Sequence, residues 1–222
     1  MIDYESHVDK TESRMDELVQ IALQIGAGII DVVLISTSDI SIEDDLANMC
    51  REPICAFYGL SANCPPYVSS PSEFQNILEI YKYALAIKID VPTGWLNTDD
   101  RLVVMKLLHE IVADIERAAI ELGYTNSKGF AAGSCKEIFC NKHSRCRLLT
   151  DNGECRHPKY ARPAIEAYGV NVHDLNTTAG WFKDQYSKEA AVVKASIGAI
   201  YGLVLIGQLT TKQLIHNGLG AT

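Results

Sequence analysis

The sequence predicts an α/β fold, a mixed sheet with flanking helices and two cysteine-rich metal-binding loops, in a single domain spanning residues 1–222. Three observations carry that expectation. Segments with helical periodicity alternate with short, β-branched apolar segments, the pattern of layered α/β proteins. The longest apolar stretch, Ala190 to Leu209, is interrupted by Lys194 and reads as a buried strand. All seven cysteines fall in two irregular stretches and none in an apolar segment.

The elements follow in chain order. Lys10 to Ile25 places Met15, Leu18, Ile21, Ala22 and Ile25 along one face of a helix, which Gly26 and Gly28 end. Ile29 to Ser36 (IIDVVLIS) reads as a buried strand. Glu43, Asp44 and Asp45 form a solvated acidic face at a helix start, where the helix dipole favours carboxylates. The first cysteine stretch comes next. Ser70-Pro71-Ser72-Glu73 then supplies an N-cap, a first-turn proline and a capping-box glutamate, starting a helix that runs to about Tyr81. Tyr83 to Val91 alternates as a strand, and Pro92-Thr93-Gly94 turns the chain. Asp99 to Leu122 is the longest helical segment, with Leu102, Met105, Leu108, Ile111, Val112 and Ile115 on one face and Gly123 just past its end. Gly129 to Ser134 forms a short strand leading into the second cysteine stretch, and a helix begins near Pro163 (RPAIEAYG).

A chain of 222 residues buries about 70% of its unfolded surface and needs no covalent staples. Its net charge of -8, without a long basic run to offset it, excludes nucleic acid as the main partner. The N-terminus, MIDYESHVDKTES, lacks the basic and apolar regions of a signal peptide. Lys194 breaks the one stretch long enough for a bilayer, so no membrane association is expected. The expected location is cytoplasmic. There, reducing conditions disfavour structural disulfides, and clustered cysteines point to metal binding or catalysis.

The second stretch, GSCKEIFCNKHSRCRLLTDNGECRHPKYARP, spaces Cys135, Cys140, Cys146 and Cys155 as C-x4-C-x5-C-x8-C. Four thiolates from one loop can converge on a tetrahedral zinc or a cubane iron–sulfur cluster. Zinc sites usually pair cysteines in short knuckles; these four spread through a loop that could wrap a larger object. Arg145, Arg147, Arg156, Lys159 and Arg162 crowd the ligands and would stabilise either anionic centre. The first stretch, CREPICAFYGLSANCPPY, offers only Cys50, Cys55 and Cys64 as C-x4-C-x8-C. Three ligands leave a coordination position open, a precondition for chemistry at a metal. Two separate sites, one saturated and one open, are favoured over one site drawing on both loops. Pro65 and Pro66 after Cys64 brace a loop expected to be organised by its cargo and not by its own hydrogen bonds.

CREPICAFYGLSANCPPYVSSPSEF, the GSC opening the second stretch, and CRHPKYARPAIEAYGVNV resemble the predicted metal-binding proteins of domain-of-unknown-function family 2284, from about Cys50 to the C-terminus. The C-x4-C-x2-Y-G-x4-C-P-P block is a specific part of that resemblance. It implies iron–sulfur binding, in anaerobic organisms, with Cys50, Cys55, Cys64, Cys135, Cys140, Cys146 and Cys155 as ligands. It assigns no reaction.

Other motifs have plainer readings. Gly26-Ala27-Gly28 follows a helix and precedes a strand, the reverse of a dinucleotide fingerprint. His109-Glu110 begins a zincin motif, but position 113 is alanine, so His109 is an ordinary helix residue. His143 and His157 read as solvated or as donors behind the thiols. Tyr58 and Tyr67 read as packing against the loop, with proton donation at the open site as the sharper alternative.

The leading functional expectation is therefore an iron–sulfur protein with one or two [4Fe–4S] clusters, acting in electron transfer or redox reactions of anaerobic metabolism. A non-redox enzyme using the three-cysteine centre as Lewis acid or sulfur carrier is the second reading. A zinc-stabilised interaction module is the third. A redox partner protein or a small-molecule substrate is expected, and the apolar C-terminal strand makes a homodimer reasonable.

Overall fold

A computed structural model describes residues 5–51, 54–150, 153–181 and 197–209. The chain begins with α1 (Glu5–Ile25), which buries Met15, Leu18 and Ala22 at spacings of three and four, and passes into strand β1 (Asp31–Ser36). A short α2 (Asp44–Asn48) follows, with Glu43, Asp44 and Asp45 exposed at its start as expected. In α3 (Pro71–Leu78) the capping box is formed: Glu73 N donates to Ser70 Oγ at 3.3 Å, and Ser70 N donates to Glu73 Oε2 at 2.7 Å. It ends three residues before Tyr81, whose carbonyl accepts from Thr37 Oγ1 at 2.5 Å and so belongs to the turn into β2 (Tyr83–Pro92).

One turn of helix, α4 (Thr93–Leu96), precedes the long α5 (Asp100–Glu121). Strands β3 (Tyr124–Thr125) and β4 (Lys128–Phe130) lead to the short helices α6 (Cys135–Ile138) and α7 (Arg147–Thr150). After α8 (Val172–Thr178) come β5 (Ile197–Ile206) and β6 (Gln208–Leu209). The first part of the expected C-terminal strand, residues 190–196, lies outside the described residues. Among the described residues no helix is long and apolar enough to cross a membrane.

The main sheet has the order β1-β2-β5-β4, and all its pairings are antiparallel. The α/β architecture with flanking helices is as expected. Strand direction is more uniform than the mixed sheet anticipated: the one parallel pairing among the described residues is the isolated bridge Ala131–Ala164. A small second sheet pairs β3 with β6.

Because side chains alternate across a strand, the central strands β2 and β5 feed two cores. Leu85, Ile87, Ile89, Val204 and Ile206 pack under α1 and α5. Ala84, Ala86, Leu203 and Leu205 pack on the other face with Phe74, Ile165 and Leu175. Phe74, Phe130 and Tyr168 form an aromatic triad there, with centroids 4.5–5.3 Å apart. On the α5 side, glycine permits close approach: a Cβ on Gly129 or Gly202 would lie 2.7 Å from a methyl of Val112.

The segment near Pro163 differs from the expected helix. Ala131 N donates to Pro163 O at 2.8 Å and Ile165 N to Ala131 O at 3.0 Å, which holds Ala164 extended. Gly169, at φ 79°, then ends a single 3-10 turn, Ile165–Tyr168. Helix α8 was not anticipated; Asn171 caps it by accepting from His173 N and Asp174 N at 2.9 and 3.1 Å.

These bridges position the site. Neighbouring antiparallel strands need only a hairpin, yet β1 and β2 are joined by the excursion of residues 37–82 that carries Cys50, Cys55 and Cys64. Residues 132–163, pinned at their base by the Ala131–Ala164 bridge, carry the other four cysteines. Glu43 N donates to Gly169 O at 2.7 Å and Asn171 N to Ser41 O at 2.9 Å, tying the first excursion to the turn that follows the second.

Candidate metal centre

The first cysteine loop is a chain of turns. Cys50 N donates to Ala47 O, Cys55 N to Arg51 O, Cys64 N to Ser61 O and Tyr67 N to Cys64 O, all at 2.9–3.0 Å. Gly59, at φ 69°, lets its N–H reach back to Pro65 O at 2.8 Å. The loop therefore has its own hydrogen-bond framework, which corrects the expectation that cargo alone would organise it.

The second loop is held from outside. Arg162 forms a bidentate pair with Glu116 of α5, at 2.8 and 2.9 Å, and its backbone N donates to His109 Nδ1 at 3.1 Å. Arg156 Nη1 donates to Arg145 O at 3.0 Å, and the buried Lys136 donates to Cys140 O at 2.9 Å. Of the five cations singled out in the sequence, Arg156 and Arg162 thus brace the backbone, while Arg145, Arg147 and Lys159 are exposed. His143 is exposed. His157 stacks on Phe139 at 5.4 Å, and its backbone N donates to Cys155 Sγ at 3.4 Å. His109 is a core residue, fully buried against Phe139.

The two loops interlock through their polar side chains. Ser61 Oγ lies 3.1 Å from Cys135 Sγ, and Asn63 Nδ2 donates to the same sulfur at 3.6 Å. In return, Ser134 Oγ lies 3.3 Å from Cys64 Sγ. Each loop thus supplies polar contacts to a thiol of the other.

All seven cysteines are free thiols. Cys135, Cys140, Cys146 and Cys155 line one tight cavity of about 20 Å³, closed on one side by Ser61 and Asn63. Cys50, Cys55 and Cys64 line a second of about 320 Å³, shared with Tyr58, Arg101, Glu137 and Glu166. Asn63 borders both. Tyr58 also borders an outer hollow of about 370 Å³, whereas Tyr67, largely exposed, lines neither thiol cavity.

Burial sets the acidity of these groups. It pushes the Cys50 thiol up to about 11, with Cys55 and then Glu166 adding to the effect. Burial also pushes Cys135 up to about 11, against the hydrogen bond from Ser61. Cys64 is raised by burial and partly restored by Ser134, and Cys140 is raised by burial against Arg156. Without a metal these thiols are protonated at neutral pH, and a bound cation would displace their protons. Glu166, at the edge of the larger cavity, is pushed up to about 7 by burial.

Thiol donors suit zinc and iron–sulfur centres alike. Among the described residues, no three His, Cys, Asp or Glu side chains stand together as a group that could hold a single metal ion. A Zn–S bond of about 2.3 Å would require four sulfurs roughly 3.8 Å apart. A cubane needs more room than about 20 Å³, a volume suited to one water molecule. Either occupant would have to shift the second loop; the larger cavity has room as it stands.

Several site residues carried no local signal. Arg101 and Glu137, 36 positions apart, meet in a bidentate pair at 2.6 and 3.0 Å. Ser134 and Asn63, each beside a cysteine, had adjacency as their only cue. Glu166 is the lone acidic residue in AIEAYG, and that isolation could have marked it.

An α/β scaffold holding two thiol-lined cavities side by side is the outline of a metal-binding protein. The chain belongs to the family described as predicted metal-binding protein (DUF2284), whose family model matches residues 33–206. No curated protein matches it, and no solved structure does.

Proposed function

We propose that this protein binds two iron–sulfur clusters and acts in electron transfer or redox reactions. The carrying observation is the division of seven thiols, four and three, between adjacent cavities that share Asn63 as a common wall. A cluster supplies reversible one-electron chemistry when bound. The chain's own residues do the rest. Cys135, Cys140, Cys146 and Cys155 would hold the enclosed centre, with Ser61, Asn63 and the His157 amide as hydrogen-bond donors that tune its potential. Cys50, Cys55 and Cys64 would hold the other, in a cavity with space for a small molecule beside it. A cytoplasmic setting suits seven free thiols. The partner in this reading is a redox protein or a small-molecule substrate.

The size of the three-cysteine cavity favours one further reading, in which its centre acts on a bound small molecule without net redox change. Anaerobic purification followed by iron, zinc and sulfide analysis tests the main proposal. About eight irons per chain and an equal amount of sulfide, with a visible band that bleaches on reduction, are expected; about four would mean a single cubane. Stoichiometric zinc without sulfide would overturn it. Reduction that is unaffected by candidate substrates, alongside substrate-induced spectral change, would favour the second reading.

A further inference from the structure

The three-cysteine cavity holds a carboxylate with one oxygen unused, the other being available to its own backbone N–H. Glu166 lies in the turn Ile165–Tyr168 and lines the cavity together with Cys50, Cys55 and Cys64. Its Oε2 is buried and has no hydrogen-bond partner. Its neighbours on the cavity wall, Ala164 and Ala167, have no polar side chain to offer. The other carboxylate there, Glu137, is fully engaged by Arg101 in a bidentate pair. Asn63 is turned toward Cys135.

A buried carboxylate oxygen left unpaired is destabilising, and native structures rarely keep one without a reason. The turn that carries Glu166 is fixed, on one side by the Ala131–Ala164 bridge and on the other by the left-handed Gly169. A Cβ at Gly169 would lie 2.4 Å from Glu43 O, so the backbone here is confined. The backbone of the turn therefore holds Glu166 beside the cavity.

We propose that Glu166 is the fourth protein ligand of the three-cysteine centre, a carboxylate on the same cavity wall that would supply the donor the three thiols lack. The proposal rests on the iron–sulfur reading above. Carboxylate is a harder donor than thiolate and binds iron less tenaciously, so this ligand would be the exchangeable one, and the remaining cavity volume would admit the ligand that replaces it.

The test uses the full chain, purified without oxygen, as wild type, Glu166→Ala and Glu166→Gln. Iron, sulfide and EPR spectra are measured before and after adding ferrous iron with sodium acetate. Both variants should lose about one ferrous iron per chain with sulfide unchanged, and after one-electron oxidation with added ferricyanide should show a three-iron cluster signal. Acetate should restore the iron in Glu166→Ala, since a small carboxylate can enter the vacated space, and should not restore a Cys50→Ser control. Iron and spectra identical to wild type in both variants would overturn the assignment, as would an iron loss that acetate leaves unchanged. Glu166→Gln keeps the side-chain shape and decides by iron count if the alanine variant does not fold. A wild-type protein with zinc and no sulfide would instead bring down the underlying reading, and the wild type alone reveals that.

Discussion

Ser134 Oγ lies 3.3 Å from Cys64 Sγ, so the residue that starts the second cysteine loop also touches a thiol of the first. The same oxygen accepts from Lys136 N at 3.3 Å and caps α6, the turn that carries Cys135. One hydroxyl thereby sets the entry of one loop and the environment of a ligand candidate in the other. The two thiol cavities are mechanically joined at this point.

Replacing Ser134 with alanine removes both contacts. Loss of an N-cap costs about 1 kcal/mol, which in a chain of this size lowers the melting temperature by about 2–4 °C. Thermal unfolding of the metal-free protein should show that decrease, and Ser134→Thr, which keeps the hydroxyl, should lose less. Equal melting of wild type and Ser134→Ala would refute the capping role.

The Glu116–Arg162 pair fastens the end of the second loop to α5, with side chains only 16% and 13% exposed. Glu116 Oε2 also accepts from the backbone of Gly129. Removing one partner leaves a largely buried charge unpaired, an effect of about 3–5 kcal/mol. Urea unfolding should place Arg162→Ala in that range. The double variant Glu116→Leu with Arg162→Leu should lose less than Arg162→Ala, because no orphan charge remains. A double variant as unstable as the sum of its parts would contradict this.

His109 makes stability depend on pH. Burial lowers it from 6.5 to about 4, and its Nδ1 accepts from Arg162 N. Between those values the unfolded chain takes up a proton that the folded chain refuses, so stability falls as pH drops from 6.5 towards 4. The contribution is at most about 3 kcal/mol. Glu166, raised from 4.5 to about 7 by its own burial, acts in the opposite sense over this range, so the test is a difference. In urea unfolding of the metal-free protein from pH 4.5 to 7.5, His109→Gln should lose less stability on acidification than the wild type. An unchanged slope in the variant would assign the effect to other groups.

The elements legible in the sequence were those whose signals are local. The Ser70–Glu73 capping box and the apolar face of α5 are written within one or two turns, and both appear in place. The 3-10 turn at Ile165–Tyr168 was misread because its conformation is imposed by Ala131, more than thirty positions away. The same holds at the site. Cysteine spacing grouped the thiols as the cavities do, whereas Arg101, Glu137 and Ser61 reached the site through tertiary pairing that no spacing records. Antiparallel pairing of β2 with β5, 105 positions apart at the Pro92–Ile197 end of the register, was equally invisible.

Single serine substitutions can decide whether the two loops serve one centre or two. Cys146 lines only the tight cavity and Cys64 only the larger one, yet Cys64 is close enough to feel the charge of Cys146. If each cavity holds its own cluster, Cys146→Ser should remove or alter one spectral component and about four irons, and Cys64→Ser should affect the other component. The double variant should then lose both. Proximity predicts one addition: because the Ser134 hydroxyl and the Asn63 amide link the cavities, damage to one centre should shift the reduction potential of the other. The same component lost in both single variants, with no second signal left, would mean that the loops share one centre and that the remaining thiols have another role.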